Sequence, residues 1–272
     1  MSVSHVRKIA NNQQQMAERS NTQISQVIAA MRNNGGYATL GQIYSLLDFS
    51  MWTTLTPEAS VRRIVQENQE FFKILPGLWA LTEYRETVLK KFQLDGFDAP
   101  APSKDAKERT QAFTHTYCQG LIVEIGNMYG EETFVPSNDR NKLFTEKPLK
   151  EIATLETIYE FTLPTILKQA KTIDVIWFGE RQLPSAFCEV EHTTNIKNSL
   201  LKFCELQDFH VPFYIVAEER RRTEFADLLT TRSTFRHLHE RVIFCNYETL
   251  ASQHSKMCEL AKIETIKPYR RR

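Results

Sequence analysis

The sequence predicts an α/β chain, α+β overall, built as two bodies, and three observations carry that reading. The stretch from Asp95 to Glu108 is broken by Gly96, Pro100 and Pro102 and holds too little apolar material for a core. Before it, three helical periodicities run into a short hairpin. After it, strand-like apolar runs alternate with helical ones. The boundaries that follow are residues 1–92 for the first body, 93–106 for the linker and 107–272 for the second.

In the first body, Ile24, Val27, Ile28 and Met31 recur at helical spacing until Asn33-Asn34-Gly35-Gly36 stops the helix. Leu40, Ile43, Leu46 and Leu47 mark a second helix. A third starts at Thr56-Pro57-Glu58, with Thr56 as cap, Pro57 at the first helical position and Glu58 at the positive end of the dipole. Val61, Ile64 and Val65 form its buried stripe and leave Arg62, Arg63 and Gln66 facing out. FFKILPGLWALTE then reads as two short strands about Leu75-Pro76-Gly77. Three helices followed by a hairpin make a winged helix. In that arrangement the third helix enters the major groove with Arg62, Arg63 and Gln66, and Lys73 belongs to the wing. Thr56-Pro57-Glu58 and Pro76-Gly77-Leu78-Trp79-Ala80-Leu81 resemble the helix start and wing of the HARE-HTH type of winged helix, over about residues 20–85.

Charge and cysteine content narrow the class. Thirty-four Lys and Arg against thirty-three Asp and Glu exclude a binder that works by bulk positive charge. Residues 1–92 nevertheless carry ten basic against seven acidic side chains. No apolar run approaches a membrane span, and the polar N-terminus does not read as a secretory signal. Five widely spaced cysteines, with no C-x-x-C pair, predict reduced thiols and a cytoplasmic protein.

The second body opens with a helix from Lys107 to about Met128, with Phe113, Tyr117, Leu121 and Ile125 stepping at i, i+4 and Glu124 beside them. A short strand at 131–135, a polar turn at Asn138-Asp139-Arg140-Asn141 and a helical region through Lys168 follow. Strands at 172–178 and 185–191, a helix at 195–207, a strand from Val211, a helix at 224–238 and a strand from Arg241 complete the pattern. It implies a sheet with helices on both faces.

Asp174 interrupts an otherwise apolar strand, a costly place for a charge that is neither paired nor bound to an ion. Glu189 and Glu191, two apart on the next strand, project to one face. If the strands pair, three carboxylates converge on one sheet edge and repel one another unless a cation sits among them. Oxygen ligands of this kind suit Mg²⁺.

These residues resemble the PD-(D/E)xK nuclease superfamily, over about residues 107–250. Asp174 matches the first acid, with Ile173 in place of the proline, and Glu189 the second, fifteen residues on. Glu191 stands at the lysine position, which makes an E-x-E variant. Glu124 matches the extra acid of the preceding helix. The resemblance implies a restriction-endonuclease-like mixed sheet flanked by helices, and Mg²⁺ (with Mn²⁺ able to substitute) on Asp174, Glu189 and Glu124. It also implies cleavage of double-stranded DNA by a type II restriction enzyme, with dependence on base modification left open. Glu191 would take a proton or a second ion, or Lys197 in the next helix would serve as a migrated lysine. His192 should point away from Glu191, and Lys202 reads as a solvated or phosphate-contacting side chain. Asn138 and Arg140 lie on a turn able to contact DNA, and Arg220–Arg222 and Arg270–Arg272 are further phosphate candidates. A homodimer is compatible with cutting palindromes. The alternative is a DNA-binding regulator or adaptor whose nuclease-like domain is inactive, and a third reading is an RNA-directed or repair nuclease.

Overall fold

The computed structural model describes residues 22–94, 96–97, 99–192 and 195–263. Its chain divides into two units, residues 1–91 and 92–272. No helix among the described residues is long and apolar enough to cross a membrane.

In the first unit, helix α1 (Gln23–Asn33) starts at Thr22, whose hydroxyl accepts from the Ser25 amide. Gly35 and Gly36 then turn the chain with φ of 81° and 90°. Strand β1 (Tyr37–Thr39) and helix α2 (Leu40–Leu46) follow, joined by a reciprocal cap between Thr39 and Gln42. Helix α3 (Pro57–Glu67) has Pro57 in its first turn, but Thr56 makes no side-chain cap, contrary to expectation. Its ψ of 70° differs from the 152° and 158° of the working caps Thr22 and Thr39, which turns the hydroxyl off the helix amides. Strands β2 (Phe71–Leu75) and β3 (Leu78–Leu81) pair antiparallel about Gly77, whose φ is 78°. Strand β1 joins them in the order β1-β3-β2, and helix α4 (Arg85–Lys91) closes the unit. Sequence periodicity missed β1 because three residues, all buried, cannot display alternation.

In the second unit, helix α5 (Lys104–Tyr129) begins three residues before the expected Lys107, because the Ser103 hydroxyl caps the Ala106 amide. It ends at Gly130, with φ of 80°. Phe113, Tyr117, Leu121 and Ile125 are buried, and so are Gln119, Gly120, Ile122 and Val123 beside them. Strand β4 (Glu132–Phe134) comes next. The expected helical region up to Lys168 is a correction. The chain there forms a two-residue hairpin, β5 (Leu143–Phe144) with β6 (Lys147–Pro148), one turn of helix α6 (Leu149–Ile152), and an irregular path to α7 (Pro164–Ala170). Pro164 suits a helix start and not a helix interior.

Strands β7 (Val175–Phe178) and β8 (Pro184–Glu191), helix α8 (Ile196–Cys204), strand β9 (Phe213–Ala217), helix α9 (Arg222–Thr231), a 3₁₀ turn at Ser233–Leu238 and strand β10 (Val242–Asn246) follow. The mixed sheet runs β10-β9-β8-β7-β4, with β8, β9 and β10 parallel and β7 antiparallel to both β8 and β4. On one face, Ile176, Phe187, Phe213 and Ile215 pack with Ile196, Leu200 and Phe203 of α8 and with Phe225 and Leu229 of α9. On the other, Trp177 donates its indole N–H to the Ile122 carbonyl of α5 at 3.2 Å. A last helix, α10 (Tyr247–Ile263), packs along α5. The sequence reading stopped short of it. Helices on both faces of a mixed sheet give the α/β class that the alternating pattern implies.

Candidate functional site

Asp174 sits one residue ahead of β7, and its partners lie across the strand end. Its Oδ2 accepts from the Val190 amide at 2.8 Å, and its own amide donates to Glu189 Oε1 at 3.3 Å. The two acids are thus tied together at the ends of β7 and β8. They are gripped from opposite layers, however. Asp174 Oδ1 lies 3.6 Å from His115 Nε2 on α5. Glu189 and Glu191 share the Ser199 hydroxyl of α8, 3.0 Å from Glu189. The expected cluster of three carboxylates is therefore two linked groups, because Asp174 precedes the strand and its side chain turns off the β7 alternation.

Lys202, also on α8, places its ammonium 2.8 and 2.9 Å from the two oxygens of Glu189 and 3.0 Å from the Thr172 carbonyl. Burial, then the charge of Asp174, lifts the Glu189 carboxyl to about 8 against the pull of Lys202 and Ser199. Burial works against the charge on Lys202, but Glu189 raises its pKa overall. One hydroxyl hydrogen cannot serve two carboxylates. A neutral Glu189 that donates to Ser199 Oγ, while Ser199 donates to Glu191, satisfies the triad.

The α5 side holds a second constellation. His115, Asp139 and Asp174 each offer a ligand atom, all within 4.8 Å of one another. Gln119, one helical turn beyond His115, is fully buried and donates from Nε2 to Asp139 Oδ2 at 2.9 Å and to the Asp174 carbonyl at 3.3 Å. Its Oε1 is buried with no donor among the described residues. Lys142 Nζ reaches Asp139 Oδ1 at 2.5 Å. Burial lowers His115's pKa, but the charges of Asp174 and Asp139 raise it overall. Burial raises Asp139, yet Lys142, Gln119 and His115 bring it below the usual carboxylate range. Two close carboxylates and an orphaned buried amide oxygen fit a divalent cation.

The other expected site residues fall as follows. Glu191 is buried, with Arg221 Nη1 3.9 Å from its Oε2. Lys197 is exposed, and its amide donates to the Asn195 cap at 2.9 Å. Glu124 is a correction. It lies nine residues past His115, about two and a half turns along α5, so it projects from the opposite side and meets His254 Nε2 at 2.6 Å. His192 Nδ1 faces the Tyr247 hydroxyl at 3.0 Å. Arg220 and Arg222 pair with Glu218 and Glu219, and Arg221 pairs with Glu224 at 3.1 Å. Arg270–Arg272 lie outside the described residues. On the other unit, Arg63, Gln66 and Lys73 are exposed, while Arg62 donates to the Tyr44 hydroxyl at 3.0 Å. Asn138 is exposed, whereas Arg140 donates to the Glu156 carbonyl at 2.9 Å, which anchors the turn.

Sequence reasoning missed His115, Gln119, Asp139 and Lys202 as site residues. Two signals were present. Gln119 is a polar side chain inside the apolar run Cys118–Val123 at i+4 from His115. Lys202 lies at i+3 from Ser199, on the same side of α8, and is five positions from Lys197.

The family model "Type II restriction enzyme NmeDI C-terminal domain" matches residues 98–269. The type II restriction enzyme NmeDI of Neisseria meningitidis serogroup C is 26% identical over 104 residues, which cover 36% of this chain and 30% of that protein. The chain thus spans less than a third of the length of this curated relative. No solved structure matches. Since the family model covers more than half of the sequence, the chain belongs to the family of the type II restriction enzyme NmeDI C-terminal domain.

Proposed function

We propose that the chain is a divalent-metal-dependent endonuclease that hydrolyses double-stranded DNA as a type II restriction enzyme, a PD-(D/E)xK nuclease of the E-x-E kind. The observation that carries the proposal is the link between Asp174 and Glu189 across the ends of β7 and β8, with Lys202 held on Glu189, in a chain of a restriction-enzyme family. Asp174 and Glu189 would hold the ion, Mg²⁺ or Mn²⁺. When bound, such an ion polarises the scissile phosphate and lowers the pKa of a coordinated water.

The chain's own residues supply the rest. Ser199 and Lys202 orient Glu189. Lys202 brings a positive charge to where negative charge develops on the phosphate, so the lysine role falls to it in preference to Lys197. Glu191, buried against Ser199 and Arg221, supports that arrangement. We further propose the first unit, with three helices and a hairpin, as a winged helix that binds DNA through Arg63, Gln66 and Lys73, which are exposed on α3 and β2.

The test is plasmid cleavage with Mg²⁺, Mn²⁺ or a chelator, on the wild type and on Asp174→Ala. Cleavage should need the metal and vanish in the variant. DNA binding should hold or improve, because a carboxylate that repels phosphate is gone. Wild-type cleavage by Asp174→Ala refutes the assignment. A wild type that shifts DNA mobility and never cuts is a binder only.

A further inference from the structure

We infer that His115, Asp139 and Asp174, with the aspartates braced by the buried Gln119 amide, form a site for a transition-series divalent ion such as Mn²⁺, favoured over Mg²⁺. The inference shares Asp174 with the proposed cleavage site and rests on that reading for its use in catalysis.

Three observations carry it. The first is spacing. Metal–ligand bonds of about 2.0–2.2 Å place donors on one ion up to about 4.4 Å apart. The atoms of His115, Asp139 and Asp174, within 4.8 Å of one another, need only small side-chain rotations to close on one centre. The second is Gln119. Its Nε2 donates to both Asp139 and the Asp174 carbonyl, which holds the two aspartates together, and its Oε1 is buried without a donor among the described residues. Flipping the amide would set its oxygen against a carboxylate and a carbonyl, three acceptors facing one another, so the orientation is determined. A buried acceptor left unpaired is costly, and a nearby cation lowers that cost.

The third is ligand chemistry. Mg²⁺ sites are built from oxygen, whereas an imidazole nitrogen beside carboxylates suits the later divalent ions. Two groups bear on the entry of an ion. Lys142 sits on Asp139 from a half-exposed position that leaves it room to swing away. His115 Nε2 faces Asp174 Oδ1 at 3.6 Å, and a proton on that nitrogen must leave when it binds a metal. His115 and Asp174 both keep some exposure, so the site is open to an entering ion.

The experiment uses the full chain stripped with a chelator. Mn²⁺ binding is followed by the loss of the free-ion electron paramagnetic resonance signal, with Mg²⁺ as competitor. Nitrogen coupling to the bound Mn²⁺ is read by electron spin echo modulation. The expected result is imidazole nitrogen coupling in the wild type and Mg²⁺ competing only at large excess. His115→Ala and Asp139→Asn should each weaken Mn²⁺ at least about tenfold, with circular dichroism checking their folding. Wild-type Mn²⁺ without nitrogen coupling overturns the inference even if both variants misfold. Unchanged Mn²⁺ affinity in the folded variants does so too. A chain that shows nitrogen-coupled Mn²⁺ yet cuts no DNA keeps this site and loses the nuclease. Efficient cutting without nitrogen coupling does the reverse.

Discussion

Replacing Glu189 by Gln should stabilise the metal-free protein at neutral pH, and the size of the gain follows from the burial of this carboxyl. Its pKa is lifted from 4.5 to about 8, by burial first and by Asp174 second. For an acid whose folded pKa lies above its unfolded value, the folded chain holds the extra proton between the two values. Stability therefore falls as pH rises across that window. Each unit inside the window corresponds to about 1.4 kcal/mol, so the wild type should lose about 2–3 kcal/mol between pH 5 and pH 7 through this group. Glutamine mimics the neutral carboxyl in shape and keeps an acceptor for Lys202, so the variant lacks this loss. The two proteins should be equally stable at pH 5 within about 1 kcal/mol, and the variant should lead by about 2–3 kcal/mol at pH 7. Urea unfolding of both proteins at the two pH values, with chelator present, measures the double difference. A difference that does not change with pH, or a variant that is the weaker one at pH 7, refutes the reasoning.

Two further outcomes are expected. Burial pulls His254 down, but Cys258 and Glu124 lift it to about 9, so its contribution to stability is fully present below the ordinary histidine value of 6.5 and is lost as pH rises through about 9. Glu124→Gln should therefore cost about 1 kcal/mol at pH 6, discounted for the partly exposed Glu124, and the cost should fade above pH 9 in pH-resolved urea unfolding. The same variant should leave Mn²⁺ affinity intact, and a matching loss of metal would return Glu124 to the ligands. Gly120→Ala sets a Cβ 2.1 Å from Cδ2 of the buried Phe144 ring, too close for any rotamer adjustment alone to relieve. It should lower stability by about 1–3 kcal/mol despite the better helix propensity of alanine, and a thermal melt at or above wild type would contradict that packing.

The sequence exposed the elements whose physics is local. Helix α1 is marked by Val27 and Met31 at helical spacing and by the glycines that end it, and α3 by Pro57 at its start. Strands β7 and β8 are apolar runs bounded by turn residues, and Asp174, just ahead of β7, stands out for the cost of a charge in that setting. What stayed hidden depends on contacts between distant segments. Strand β1 exists because Tyr37, Ala38 and Thr39 pair with β3, some forty residues away. The direction of the Asp174 side chain depends on the Val190 amide and on His115 of a helix far back in the chain. Helix α10 shows little amphipathic pattern because the stripe it buries, Tyr247, Leu250, Ala251, His254 and Ser255, is itself partly polar. Lys202 looks like any helix-surface lysine until the end of β8 brings Glu189 beneath it.

The two hydrogen bonds from Gln119 Nε2 have a mechanical corollary. A single side-chain nitrogen holds both the turn that displays Asn138 and the residue that leads into β7. Turn and strand entry are thus braced on the same buried amide of α5, so that losing this one nitrogen would loosen both.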